Sequence, residues 1–158
     1  MEKHLRNKLL KNLIQVALPK SLQIGRSKKH VSIIVSKNKI ISIGINQLKT
    51  HPEAKKHGYR LNEIHSELDA FLKIKRTGNY KLFNFRFNRF GEMRMSRPCK
   101  KCMSWCSEVF DDIYFTTPYG VLKYSENYQD YMTTEYYLPK KSLDRGGKSY
   151  LSNHFFST

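Results

Sequence analysis

Apolar residues near the start of the chain recur at helical spacing: Leu5, Leu9, Leu10, Leu13, Ile14 and Ala17, with Lys and Arg between them. This period predicts an amphipathic helix over 2–18 that Pro19 stops, because proline has no N–H and its ring clashes with the preceding turn. After a loop holding Gly25, Ser27 and two lysines, the period changes. Val31 to Val35 and Ile40 to Ile45 are β-branched runs around Lys37-Asn38, and they predict a hairpin with both strands well buried. Gln47 to Asn62 is polar, contains Pro52 and Gly58, and reads as a long loop. Glu63 to Arg76 is helical again, with Ile64, Leu68, Phe71, Leu72 and Ile74 as its stripe and Thr77-Gly78-Asn79 as its stop. Leu82 to Arg89 alternates, with Phe83, Phe85 and Phe87 on one face and Asn84, Arg86 and Asn88 on the other, as a strand does. Cys99 to Phe110 predicts a short helix with Trp105 and Val109 inward. Asp112 to Thr116 and Val121 to Tyr124 predict two last strands around Pro118-Tyr119-Gly120.

Helices that alternate with strands in this order predict a three-layer α/β/α fold around a mixed five-stranded sheet. The 158 residues fit a single domain, with its core over about 30–125 and a tyrosine-rich extension over 126–158. That extension carries Tyr128, Tyr131, Tyr136, Tyr137 and Tyr150 and a loose stretch from Asp144 to Lys148. The hydrophobic fraction of 39% and aromatic fraction of 13% are those of a packed globular chain and not of a disordered one.

No apolar run approaches the length of about 18 residues that a membrane-spanning helix needs. Met1 to Pro19 lacks the continuous apolar stretch of a secretory signal, so the expected location is the cytoplasm and no membrane partner is expected. The net charge of +16 favours an anionic partner: a nucleotide, or a single-stranded nucleic acid. Frequent Lys, Asn, Ile, Tyr and Phe offer a second source of that charge, since AT-rich codons supply these residues. A second copy of the chain is a further candidate partner.

The chemistry concentrates in two short segments. His65-Ser66-Glu67 opens one predicted helix and Pro98-Cys99-Lys100-Lys101-Cys102 opens the next. Two cysteines three positions apart at a helix start bring both sulfurs to one side, and the positive helix end favours thiolates. With His65 they make three ligands for one Zn2+ and leave a fourth tetrahedral position open for water, as at a catalytic zinc. Glu67 beside such a site can take a proton from the activated water and return it to a base ring and a leaving amine. Cys106 is the alternative fourth ligand of a structural zinc; one turn deeper in the helix, it reads instead as a core residue.

The paired motifs, with the proline before the first cysteine and 34 residues from His65 to Cys99, resemble the cytidine deaminase-like superfamily over roughly Val31 to Tyr124. The resemblance implies a hydrolytic deaminase of a cytosine nucleoside or nucleotide, in which zinc-activated water attacks C4, Glu67 moves the protons and ammonia leaves. The alternative is a polynucleotide cytosine or adenine deaminase guided by the basic surface. The resemblance also picks out Asn46, at a position where relatives carry an asparagine that bonds the sugar, and Ser96 and Arg97, in a segment that lines the pocket of relatives. Ser66 stands where relatives often carry alanine. His51 and Tyr59, with His57 and Arg60, lie on the loop before the zinc helix and are candidates to stack on a base or grip phosphate. The four residues Thr117 to Gly120 cannot hold a crossover helix, which needs a dozen or so residues. The last two strands are therefore expected as an antiparallel hairpin, as in free cytidine deaminases and many phage- or toxin-type relatives.

Overall fold

The computed structural model of the chain describes residues 2–24, 30–49, 51–59, 63–124 and 131–134, with residues 2–7 and 131–134 as backbone. The elements run α1 (Glu2–Gln23), β1 (His30–Ser36), β2 (Lys39–Ile45), α2 (Pro52–Lys56), α3 (Ser66–Leu72), β3 (Lys81–Arg86), α4 (Lys100–Val109), β4 (Asp112–Thr117), β5 (Gly120–Lys123) and β6 (Tyr131–Thr134). One sheet holds the strands in the order β2-β1-β3-β4-β5-β6. Among the described strands only β3 and β4 pair in parallel, so the sheet is mixed. The five expected strands are all present, and β6 adds a sixth from the tyrosine-rich extension. The other tail tyrosines, the 144–148 stretch, the 25–29 loop and Arg60 lie outside the described residues.

Strand alternation sorts the core into two. Val31, Ile33 and Val35 of β1, with Phe83, Phe85 and Phe87 on or just past β3, pack against Leu10, Leu13 and Ala17 of α1. Ile34 and Leu82 point the other way, into a cluster with Leu68 and Ala70 of α3 and Cys102, Met103, Trp105 and Cys106 of α4. One helix thus covers one face and two helices cover the other, which gives the three layers. Each large side chain buried this way contributes roughly 1.5–3 kcal/mol relative to exposure.

Two tight turns set the register. Lys37 and Asn38 both have positive φ, 50° and 61°, as a two-residue turn matched to strand twist requires, although neither is glycine. Pro118 and Tyr119 alone join β4 to β5, and the two strands pair antiparallel, as the short connection demands. Gly44 has a different task. A Cβ there would lie 2.2 Å from the Ser66 carbonyl oxygen and 2.3 Å from the Ala70 nitrogen, so glycine is what lets α3 lie directly on β2.

The structure corrects several expectations. α1 does not stop at Pro19 but runs through it to Gln23. Pro19 is exposed, and the buried face continues past it through Ser21 to Ile24. Packing of that face outweighs the single hydrogen bond the proline gives up. The helix expected over 63–76 is shorter: Ser66–Leu72 is helical, and Ile74 packs against the core from the turn that follows. β2 is not well buried. It is the sheet edge, with Ile40 39% and Ile41 45% exposed. Val109 is exposed instead of inward, because α4 ends there and Phe110 fills the core position. Within the expected 47–62 loop lies the five-residue helix α2.

Candidate metal centre

The starts of α3 and α4 meet over the sheet. His65 is the N-cap residue of α3, Cys99 is the N-cap of α4, and Cys102 lies in the first turn of α4. His65 Nδ1 stands 3.5 Å from Cys99 Sγ and 3.4 Å from Cys102 Sγ. All three ligand atoms lie within 4.8 Å of one another. Tetrahedral nitrogen and sulfur ligands at about 2.0–2.3 Å from an ion stand about 3.5 Å apart, so the triad fits a single zinc ion. Cys106 takes no part in this group. It is fully buried in the core beneath α4, where burial pushes its thiol well up, as expected of a core residue.

The histidine is set for the task by a residue the motif does not include. His65 Nε2 lies 3.1 Å from Glu63 Oε1. The carboxylate can only accept, so Nε2 carries a proton and the ring is held with Nδ1 toward the sulfurs. Burial pulls the imidazole down, but hydrogen bonding with Cys99 and the charges of Glu67, Cys99 and Glu63 leave it raised overall. Hydrogen bonding with the Cys102 side chain, helped by His65 and by the Cys102 backbone N–H, holds the Cys99 thiol down to about 3 against the effect of burial. Cys102 is pushed up by the same pairing with Cys99 and then by burial.

Beside the triad lies a buried polar network. Glu67 is 2% exposed. Its Oε1 accepts from Asn84 Nδ2 at 2.6 Å, and Ser66 Oγ approaches its Oε2 at 3.4 Å. Asn84 Oδ1 is hydrogen-bonded to Ser32 Oγ at 2.5 Å, and Ser32 Oγ to Ser66 Oγ at 2.7 Å. Asn84 Nδ2 also reaches the Ser96 carbonyl oxygen at 3.2 Å. A carboxylate buried this deeply costs free energy unless donors reach it, and Asn84 is that donor.

The other expected site residues fall around this centre in different ways. Asn46, at the end of β2, accepts from Ser66 N through Oδ1 at 2.9 Å and so ties the strand to the start of α3. It borders an open groove of about 600 Å³ with Lys20, Gln23, Ile45 and Gln47. Ser96 is fully buried, and its hydroxyl is bonded to the Asn84 carbonyl and to Thr116 Oγ1, both at 2.8 Å. Arg97 is exposed, with its guanidinium over the rings of Phe115 and Tyr124. His51 caps α2, its Nδ1 accepting from Glu53 N at 3.1 Å. His57 packs on Trp105. Tyr59 is 6% exposed, and its hydroxyl lies 2.7 Å from Cys102 Sγ.

Sequence reasoning did not assign Glu63, Ser32 or Asn84 to the site. A signal was present for two of them: Ser32 within His30–Ser36 and Asn84 within Lys81–Arg86 are polar residues inside strands that are otherwise apolar at the centre. A polar residue buried there must find a polar partner.

No protein-family model matches the chain. No curated protein sequence matches it either. Solved structures do. The dCMP deaminase from the cyanophage S-TIM5, in complex with dCMP and dUMP, aligns over 68% of this chain and 80% of its own at 16% identity, with a TM-score of 0.50. The chain has the cytidine deaminase-like fold. The apo form of the same cyanophage protein aligns over 66% of this chain and 79% of its own, at 19% identity and a TM-score of 0.47. In this fold the His65, Cys99 and Cys102 cluster lies at the starts of the two helices on one sheet face, and no helix among the described residues is long and apolar enough to cross a membrane.

Proposed function

We propose that the chain is a zinc-dependent deaminase that hydrolyses the exocyclic amino group of a cytosine nucleoside or nucleotide. One observation carries this reading: a buried carboxylate, Glu67, held by Asn84 and two residues after His65 of a three-residue group that could hold a metal. A structural zinc has no use for such a carboxylate, whereas hydrolysis at a ring carbon needs a group that takes and gives back protons. A bound zinc ion supplies the Lewis acidity that makes water a nucleophile at neutral pH. His65, Cys99 and Cys102 would hold it. Glu67 would accept a proton from the attacking water and deliver it to the ring nitrogen, then take a second proton from the new C4 hydroxyl and deliver that one to the departing amine, so that ammonia leaves and the C4 carbonyl forms. Asn84 keeps the carboxylate in place for both transfers. Asn46 has Oδ1 engaged by Ser66, which leaves its Nδ2 protons to meet a sugar hydroxyl at the mouth of the site. A nucleotide substrate is supported by the similar cyanophage dCMP deaminase, solved with dCMP and dUMP.

The test combines metal analysis with an ammonia-release assay. The purified chain should hold one zinc, which Cys99→Ala and Cys102→Ala each lose and Cys106→Ala keeps. Loss of zinc in Cys106→Ala would make the site four-coordinate and end the catalytic reading. The assay compares cytidine, deoxycytidine, their monophosphates, adenosine, and single-stranded DNA and RNA. The fastest turnover is expected on a cytosine monophosphate. Turnover on a strand that exceeds every free nucleoside and nucleotide would replace this substrate by a polynucleotide.

A further inference from the structure

Tyr59 touches two of the three candidate ligands at once. Its hydroxyl lies 2.7 Å from Cys102 Sγ, and its ring packs on the His65 imidazole at 4.5 Å between centroids. The indole Nε1–H of Trp105 donates to the same hydroxyl oxygen at 2.9 Å. An indole N–H can only donate, so it occupies an oxygen lone pair and leaves the phenolic proton directed elsewhere. A thiolate that binds metal can only accept. The hydrogen bond between Tyr59 and Cys102 therefore runs from oxygen to sulfur when the site is loaded. The segment that carries Tyr59 is tied down at two points: Tyr59 N donates to the Ala54 carbonyl at 3.1 Å, and Lys101 Nζ of α4 donates to the Gly58 carbonyl at 2.8 Å. The hydroxyl is thus delivered by a short anchored turn that α4 itself helps to hold.

We propose that Tyr59 is a positioning residue of the metal site: its hydroxyl, oriented by Trp105, donates to the Cys102 thiolate while its ring braces His65. The proposal rests on reading His65, Cys99 and Cys102 as metal ligands. Its physical content is charge. Two thiolates beside the buried Glu67 carboxylate crowd negative charge into one place, and a donor to Cys102 draws electron density off the sulfur. The metal then receives less charge from its ligands and stays a stronger Lewis acid. This gives the loop before α3 a role in ligand tuning, where sequence alone suggested contact with a base.

The experiment uses the full chain loaded with cobalt(II), whose thiolate-to-metal charge-transfer band reports the sulfur directly. Tyr59→Phe keeps the ring and removes only the hydroxyl. Without the hydrogen bond the sulfur lone pairs rise, so the band should move to lower energy. Affinity, measured by competition with a chelator, should fall about tenfold because Cys102 loses the contact that holds its sulfur in place, at the low end of what loss of a partner to a metal ligand costs. Trp105→Phe keeps the hydroxyl but not its orientation, and should move the band the same way by less. Melting temperatures of both variants separate metal tuning from packing, because a purely structural tyrosine lowers the melting temperature and leaves the band where it was. An unshifted band in Tyr59→Phe overturns the proposal and leaves the metal site standing. Failure of the wild-type chain to bind cobalt or zinc at all overturns the metal reading together with it.

Discussion

The two faces of β1 and β3 are made by alternate residues of the same strands, yet they differ in kind. Toward α1 the strands present Val31, Ile33, Val35, Phe83 and Phe85, an apolar surface in which Phe83 stacks on Tyr114. Toward α3 and α4 the same strands present apolar Ile34 and Leu82 but also Ser32 and Asn84, both buried and both bonded into the network around Glu67. One face supplies burial alone. The other gives up apolar area for oriented donors and acceptors, which carry no stability unless every partner is in place. A β-strand can serve both ends because its side-chain period of two assigns neighbouring residues to opposite faces. Stability and chemistry should accordingly separate by mutation.

The largest separation is expected at Glu67. Glu67→Gln keeps the size of the side chain and an oxygen for Asn84, and removes only the ability to take a proton. Ammonia release should fall by about 10²–10⁴-fold, the usual worth of general acid–base catalysis, with zinc content and melting temperature close to wild type. Full activity in this variant would exclude Glu67 as the proton carrier. On the opposite face Phe85→Ala should do the reverse. Phe85 is 1% exposed, and its truncation should cost about 3–5 kcal/mol in chemical denaturation while the folded fraction still holds one zinc per chain. Loss of zinc from protein that is still folded would show that the two faces are coupled.

Asn84 tests the boundary between them, since its backbone belongs to β3 and its side chain to the site. Asn84→Ala strips the buried Glu67 of its short donor at 2.6 Å and Ser32 of one of its two partners, at 2.5 Å. Stability should fall by about 1–3 kcal/mol, the cost of buried polar groups left without partners. Activity should drop by about 10²-fold through misplacement of the carboxylate, with zinc retained. A loss of stability with no loss of activity would make Asn84 a structural residue only.

The difference between the faces also explains what the sequence made legible. The apolar face announces itself by period: Phe83, Phe85 and Phe87 alternate, and the strand they predict is there. His65, Cys99 and Cys102 are legible because metal ligation demands particular residue types at particular spacings near helix starts. Asn84 and Ser32 stand out locally only as polar residues inside apolar strands; their part in the site is not legible, because their partners lie 17 and 52 positions away for Asn84 and 34 for Ser32. Helix α2 escaped for a local reason. It is five residues long and is capped by the ring nitrogen of His51 instead of the usual Ser, Thr, Asp or Asn. The run of α1 through Pro19 was out of reach as well, since proline is a strong local stop and only the burial of Ser21 and Ile24 beyond it overrides that.

The smallest effect is expected where neither face is involved. Asp112, at the start of β4, pairs with Lys123 of β5 at 2.9 Å and with Lys81 of β3 at 3.5 Å, so one carboxylate links three adjacent strands. Burial raises the carboxyl, but the hydrogen bond and charge of Lys123, then Lys81, outweigh it and hold the group below its ordinary value. A lowered folded value means that the pairing stabilises the chain above the ordinary carboxylate pKa of about 3.9 and loses this effect as the pH falls through the folded value. Both lysines are about half exposed, at 50% and 41%, so solvent screening keeps the contribution below about 1 kcal/mol. Asp112→Asn should therefore lower the melting temperature slightly at neutral pH and in low salt. The gap to wild type should close both below about pH 4 and in high salt. A gap that persisted under acid would mean that Asp112 acts through packing and not through its charge. Activity and zinc content should not change, because the ion pairs lie at the opposite end of β3 and β4 from the metal ligands.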